Sequence, residues 1–541
     1  MTFTIRNGNS KNQNVNSDFS EQPTNCLGFC WYDAVRRGGA HELSSIPCTD
    51  PATGDSLGHV GIDSPTDVAA AIARAHLAQQ SWGKTSLHER ARVLQAMLDF
   101  TVTNKDWICE QVQRDSGKTR ENALVGEIWP TCEKFRWTIK NGKKHLKPER
   151  VSSGLIMHKK ATLEYRPLGV IAAIIPWNYP FQNIVNPMIT ALMSGNAIVL
   201  KPSEWVSWSS KSFIDAFRAV LVDEGHPADL VQAVYGCGPT GAALARGDVN
   251  GILFIGSVNN GRRVIEASAE RIVPVVMELG GKDAFIVCDD ASIEQAAHAA
   301  LAGCFINCGQ NCVASERLLV HEKVYDAFEK RVLELVVNFR QGPGRDNVCD
   351  VGAIVSPLQL QLIEKSVQRA IEQGARIVNG AKRPAIEGNY YEPTILADVT
   401  PEMDIMNEEM FGPVMLLCKV RDDDEAIRIA NSVSYGLSSS VFSKDSKRAK
   451  QNCRRTPSRH GGDQRVRRYH VHGARSHIRR REGIRIWSNE WTPRFAFHVQ
   501  HQSGRRRSRV RAYPEQSLSR RGRRLRTVQR HHRFGLRQEH V

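Results

Sequence analysis

From Gly169 onward, short unbroken apolar runs alternate with longer segments of helical period. The runs are "GVIAAIIP" (Gly169–Pro176), "AIVLKPSE", "LVQAVYG", "GILFIGS" and "PVVMELGG". They are Val/Ile-rich and lack a polar alternate face, which predicts strands buried on both sides. Between them, "PFQNIVNPMITALMSG" predicts a helix stopped by Gly195, and "SKSFIDAFRAVLVDEG" predicts a second. This alternation predicts an α/β fold with a parallel sheet covered on both faces. Such sheets bind ligands at the carboxyl ends of their strands, so the chemistry is expected just after each apolar run.

Upstream the period is different. Residues 1–40 are polar, Asn/Ser-rich and aperiodic, which predicts a disordered leader. From Cys48, "CTDPATGDSLGHV" reads as turns around short strands. "SPTDVAAAIARAHLAQQSW" predicts an amphipathic helix capped by Ser64 or Thr66. "SLHERARVLQAMLDFTVTNKDWICEQVQRDSGK" predicts a second, longer one.

With 541 residues the chain can hold two or three domains and a substantial core. Its net charge of +16 is unevenly spread. From Cys453 to Val541 there are 25 arginines, no lysine and 5 acidic residues. Met1–Asn452 holds 48 basic and 52 acidic residues, an ordinary and slightly acidic globular balance. Thirteen cysteines in a chain this long do not suggest a disulfide scaffold. "CLGFC" (Cys26, Cys30) has no histidine partners at a zinc spacing, so no metal site is expected. The polar N-terminus lacks the apolar core of a signal peptide, and no run approaches the roughly 18 apolar residues that span a bilayer. The expectation is a soluble protein of a reducing compartment, with the cytoplasm as default.

Polar residues do follow the runs. Asn178 lies in "PWNYP", Lys201 and Glu204 in "KPSE", and Gly256 and Ser257 open "GSVNNG", a glycine-bounded turn that can start a helix under a phosphate. That turn alone is a weak signal, because the full dinucleotide fingerprint has a third glycine. Glu278 stands beside Gly-Gly in "PVVMELGGKDAFIV". "DDASIEQAAHAALAGCFINCGQNCVASERLLV" reads as an Asp-capped, Ala-rich helix running into Cys304, Cys308 and Cys312. All three thiols could be helical core residues. Cys312 differs: it follows "GQN" and precedes a strand-like run, so it falls at a loop or helix end, where a thiol pKa can be lowered.

The order "PWNYP", "KPSE", "FIGS", "ELGGKDAFIV", "FINCGQNCVASER" and "EEMFGPV" resembles the aldehyde dehydrogenase superfamily over residues 45 to 451. The resemblance implies a Rossmann-type dinucleotide domain (41–149 and 168–279) and an α/β catalytic domain (280–451). It also implies a β-ribbon oligomerisation arm at 150–167, in "VSSGLIMHKKATLEYRP". By resemblance, Cys312 is the nucleophile, Glu278 the general base for thioester hydrolysis, and Asn178 with the Cys312 N–H the oxyanion holder. The implied cofactor is NAD in preference to NADP. Lys201 and Glu204 match positions holding the adenosine ribose, and Gly256 and Ser257 match the pyrophosphate turn. Glu409 matches the nicotinamide-ribose ligand with Phe411 beside it, and Pro176 and Trp177 complete the cofactor set. By residue type alone Trp177 reads as packing, Glu409 as a surface charge and Lys201 as a solvated lysine; Cys304 and Cys308 read as structural. The implied partner is a small-molecule aldehyde, with a homodimer or homotetramer if the C-terminus is intact.

Past "NSVSYGLSSSVFSKDSKRAK" the superfamily continues with a helix, a strand and a segment of the kind "PFGGxKxSGxGR", whereas this chain turns to arginine. A one-base offset in codon reading lets Ile478–Pro493 back-read as F-G-G-V-K-E-S-G-F-G-R-M-N-G-P-R. The same offset turns Asn452–Gln464 into I-A-E-E-L-R-A-G-M-V-A-I-N, which places the break at about Gln451. Residues 452–541 are therefore expected to be off-frame and disordered. The alternatives are an inactive remnant of such an enzyme, or a nucleic-acid-binding protein acting through its basic tail. The second fits poorly, since phosphate binding would use lysine as well as arginine.

Overall fold

The computed structural model describes residues 44–154, 160–344 and 348–456, and the backbone of 469–472. The leader expected over residues 1–40 lies outside them, as does most of the tail. Two antiparallel hairpins come first, β1 (Ser45–Thr49) with β2 (Ser56–Gly61) and β3 (Glu149–Val151) with β4 (Ala161–Leu163). The second hairpin lies where the ribbon was expected.

A five-stranded parallel sheet follows: β5 (Val170–Ile174), β6 (Ala197–Lys201), β7 (Val231–Ala233), β8 (Gly251–Gly256) and β9 (Val275–Leu279). Its order is β7-β6-β5-β8-β9. The chain moves outward from β5 in one direction, then returns to build β8 and β9 on the other side. That reversal opens a crevice beyond the carboxyl ends of β5 and β8. Val170–Ala173 and Ala197–Leu200 are at most 1% exposed, which is why their sequence shows no polar alternation. Helices Pro65–Trp82, Leu87–Thr103, Pro180–Met193 and Ser207–Asp223 share one apolar core with these strands.

The second sheet comprises β10 (Asp283–Val287), β11 (Ser315–His321), β12 (Arg376–Asn379), β13 (Thr394–Ala397), β14 (Val414–Val420), β15 (Ser439–Phe442) and β16 (Tyr469–His472). Its order is β12-β13-β14-β11-β10-β15-β16, parallel except at β12. It has its own core, separate from the first. Only Gly280–Lys282 separates β9 from β10, so the two sheets hand over at the "ELGG" motif. Among the described residues no helix is long and apolar enough to cross a membrane.

Several local expectations change. Ser64, not Thr66, caps the first helix: its hydroxyl accepts from Asp67 N at 3.2 Å, and the Asp67 carboxylate accepts from Ser64 N at 2.9 Å. Such a reciprocal cap stabilises a helix by about 1 kcal/mol. The long second helix is two, Leu87–Thr103 and Lys105–Ser116, broken at Asn104. There the Asn104 amide donates to Phe100 O at 2.9 Å, competing with the helical ladder. The Ala-rich helix Ile293–Phe305 is not Asp-capped; Ser292 holds the cap position without a side-chain bond. Arg448 draws the aspartates away, at 2.7 Å from Asp289 and 3.2 Å from Asp290.

The tail needs the largest correction. Helix Ser446–Arg455 runs straight through Gln451 and buries Asn452 and Cys453. Tyr469–His472 pairs in parallel with Ser439–Phe442. Order therefore does not stop at 451. The edge of β15 offers backbone N–H and C=O groups, and these accept a partner strand largely irrespective of its side chains. Other residues of the tail beyond 456 lie outside the described residues.

Candidate active site

Helix Ile293–Phe305 ends in a turn whose Asn307 and Cys308 both have φ 55°, a left-handed conformation costly for non-glycine residues. Gly309 continues it at φ +69°, and a Cβ there would collide with the Gly412 carbonyl. This tight reversal ends the helical register, so the three thiols do not share a face. Cys304 is buried and donates to Ser315 O at 3.0 Å, and Cys308 is 1% exposed. Cys312 lies in the loop before β11, and among the described cysteines it alone is not fully buried.

Asn178, just past β5, is buried against that loop. Its amide donates to Gln310 O at 3.3 Å, and its carbonyl oxygen accepts from Asn183 at 3.2 Å. An amide nitrogen has two N–H groups, so the Asn178 amide can donate once more besides its bond to Gln310 O. Glu278, half-buried near the end of β9 and in register with Ile255, is one of three carboxylates whose charge reaches the Cys312 thiol. The expected lowering of that thiol's pKa is not what the geometry gives. Burial pushes it well up, and Glu409, Asp283 and Glu278 push it further. A thiolate here requires charge compensation, or deprotonation as it attacks.

Glu409 reaches the glycine pair: its carboxylate accepts from Gly281 N at 3.0 Å, and a Cβ on Gly280 would collide with it. Phe411 (φ 51°) stands edge-on to Trp177, ring centroids 5.3 Å apart. Sequence reasoning missed what fixes this loop. Glu316 accepts from Met410 N at 2.9 Å and Phe411 N at 3.1 Å, and pairs with Lys282 at 2.7 Å; Glu316, Met410 and Lys282 are buried. The signal available was a charged residue inside an apolar run, Glu316 in "SERLLV" and Lys282 in "GGKDAFIV".

A second group of predicted residues gathers at neighbouring strand ends. Lys201, 5% exposed at the end of β6, lies 3.5 Å from Glu204, which also accepts from Ser203 Oγ at 3.2 Å. Gly256 ends β8. Ser257 caps helix Val258–Ala269, accepting from Asn260 N at 3.3 Å and leaving other first-turn N–H groups open. Pro176 and Trp177 follow β5 between the two groups. A cation, a carboxylate and a helix N-terminus across the switch point form a donor set that fits a dinucleotide. Among the described residues no cluster of His, Cys, Asp or Glu could hold a metal ion.

Burial, and then the charge of Glu316, raise the Glu409 carboxyl from 4.5 to about 8, against the pull of Gly281 N–H and Lys282. The folded chain thus keeps a proton that the unfolded chain releases near pH 4.5. Between those values the unfolded state binds fewer protons, so stability falls as pH rises. Glu409→Gln is expected to remove this contribution, about 1–3 kcal/mol after allowance for partial exposure. Urea denaturation from pH 5 to 8.5 checks it; an unchanged slope in the variant would refute it.

An aldehyde dehydrogenase family model matches residues 39–461. The chain is 39% identical over 425 residues to an aldehyde dehydrogenase-like protein of Saccharomyces cerevisiae, covering 75% of this chain and 66% of that protein. It is 35% identical over 405 residues to 4,4'-diapolycopene aldehyde oxidase of Methylomonas, covering 74% of this chain and 75% of that one. Among solved structures, a Mycobacterium tuberculosis aldehyde dehydrogenase complexed with NAD+ superposes with a TM-score of 0.74 at 29% identity, over 80% of this chain and 87% of that one. An Escherichia coli NADP-dependent enzyme gives 0.74 at 30%, over 79% and 86%. With the motif order, the two-sheet architecture and this breadth of match, the chain belongs to the aldehyde dehydrogenase family.

Proposed function

We propose that this chain oxidises an aldehyde to its carboxylic acid with NAD+ through a thioester on Cys312. One observation supports the reading: Cys312, alone half-buried among the described cysteines, lies two residues past Gln310, whose carbonyl takes an Asn178 N–H, and the Glu278 charge reaches its thiol. Cys312 Sγ attacks the carbonyl carbon as its proton passes to solvent water on its open side, and the carbonyl oxygen becomes an anion. Asn178 and the Cys312 N–H hold that anion, a contact that strengthens only as charge develops. NAD+, when bound, supplies the hydride acceptor that turns thiohemiacetal into thioester. Glu278 then takes a proton from the water that attacks the thioester; the C–S bond breaks and the acid departs.

Lys201, Glu204, Gly256, Ser257, Glu409, Phe411, Pro176 and Trp177 would hold the cofactor. The Glu204 carboxylate accepts from free ribose hydroxyls and repels a 2′-phosphate, which favours NAD over NADP. The hairpin of β3 and β4 would dock against a second copy, in a homodimer or homotetramer.

Glu278→Gln tests the assignment of the base. A rapid burst of NADH should survive while steady turnover falls roughly 10²–10⁴-fold, because deacylation alone needs the base. Loss of the burst as well would mean that Glu278 also activates the thiol.

A further inference from the structure

Lys118 is buried at the end of the "DSGK" turn, far in sequence from any motif used above. Its ammonium lies 3.3 Å from Glu127, both side chains being at most 1% exposed. It also sits over the Tyr179 ring at 4.2 Å. Its hydrogen bonds go to the Asn178 carbonyl and, at 2.9 Å, to Asn307 Oδ1. Asn307 in turn donates to the Asn178 carbonyl and to the Gln310 carbonyl, each at 2.9 Å. Gln310 is pinned from outside the loop as well, accepting from Val355 N at 2.9 Å and donating to Ala353 O at 3.3 Å. One buried cation and one strained asparagine therefore tie the backbone of Asn178 to the loop that carries Cys312.

We propose that Lys118 and Asn307 are positioning residues for acylation, setting the Asn178 amide at oxyanion distance from the carbon that Cys312 attacks. Neither touches the reacting atoms; both act through Asn178 and Gln310. Burial explains the expense of the arrangement. It pushes the Lys118 ammonium down to about 8, against the pull of Glu127, and Asn307 is held at positive φ. Groups this costly persist where the surrounding structure fixes them for a task. The Glu127 carboxylate completes the bracket by accepting from Gln182 N at 2.8 Å, at the start of the helix that follows Asn178.

The inference rests on the cysteine reading above, so its test separates two reactions of the same thiol without NAD+. p-Nitrophenyl acetate acylates a cysteine through an oxyanion; iodoacetamide alkylates it without one. The variants are Lys118→Met with Glu127→Gln, which leaves no unpaired buried charge, and Asn307→Gly, which keeps the left-handed backbone. They are made in whichever full-length form, printed or one-base-corrected, reacts with the ester. Ester acylation is expected to slow about 10–100-fold, as for an oxyanion donor displaced by a fraction of an ångström, while alkylation changes less than about threefold. In an Asn178→Ala background the same substitutions should add little, because they act through that amide. Equal slowing of both reactions, or full additivity with Asn178→Ala, overturns the proposal in favour of a purely structural pair. If the lysine double variant does not fold, Asn307→Gly carries the test alone. Ester acylation that persists in Cys312→Ala would instead overturn the cysteine reading.

Discussion

Cys312→Ala is expected to lower aldehyde oxidation by at least about 10³-fold, while Cys308→Ala is expected to retain most of it. The contrast is sharp because the two thiols are only four residues apart yet differ in everything chemistry needs. Cys308 is 1% exposed and sits inside the left-handed turn, where an alanine meets the same backbone demand and loses only a small packed sulfur. Its truncation should cost about 1 kcal/mol of stability and little rate. Cys312 is partly open, on the loop whose Gln310 carbonyl takes the Asn178 amide. Removing a nucleophile leaves only binding and the oxyanion donors, which cannot form the thioester. NADH production with a simple aldehyde, alongside mass-spectrometric mapping of an aldehyde-mimicking electrophile, checks both halves. Equal loss in the two variants, or labelling of Cys308 alone, refutes the assignment.

What could be read in the sequence followed the local physics. Strands β5, β6 and β8 declared themselves because burial on both faces leaves an almost unbroken apolar run, and β9, though only half-buried, is apolar up to Glu278. Asn178, Lys201 and Ser257 were found because the carboxyl ends of parallel strands face the crevice. The roles of Glu409 and Phe411 came only from the resemblance, since nothing in "EEMFGPV" shows that the chain doubles back onto Gly281. Lys118, Asn307 and Glu316 stayed hidden for the same reason. Each makes at least one contact 60 or more residues away, Lys118 with Asn178 and Asn307, and Glu316 with Met410 and Phe411, and the spacing of motifs does not record such contacts. The loop end suggests an exposed, lowered thiol at Cys312, whereas burial raises it and the charges of Glu409, Asp283 and Glu278, from other segments, raise it further. The break at Asn104 was masked by an apolar period that continues across it.

The C-terminal region yields the other large contrast: the one-base-corrected product is expected to be a soluble oligomer that reduces NAD+ with simple aldehydes, and the printed 541-residue product poorly soluble and inactive. The helix Ser446–Arg455 now supplies an independent argument. Positions 452 and 453 in its last turn and 456 just past its end are buried, while 454 and 455 are exposed. In print the buried set is Asn452, Cys453 and Thr456, and the exposed pair is Arg454 and Arg455. The offset frame makes the buried set Ile, Ala and Leu and the exposed pair Glu-Glu, an amphipathic pattern that suits the site. Asn452 as printed must instead place its amide against Asp423 at 2.7 Å. The strand β16 shows that the printed backbone can still pair with β15, so the expected defect is not an open edge at that position. It lies in the altered burial pattern, in the loss of the "PFGGxKxSGxGR" segment and in the self-repulsion of a region carrying 25 arginines against 5 acidic residues. Salt screens part of that repulsion, so raised ionic strength should recover some solubility but no turnover. Expressing both products side by side, with limited proteolysis and NADH assays, decides the matter. If the printed form is soluble, resists proteolysis past Arg455 and turns over aldehyde at a comparable rate, the frame argument fails and the arginine-rich region is a working part of the enzyme.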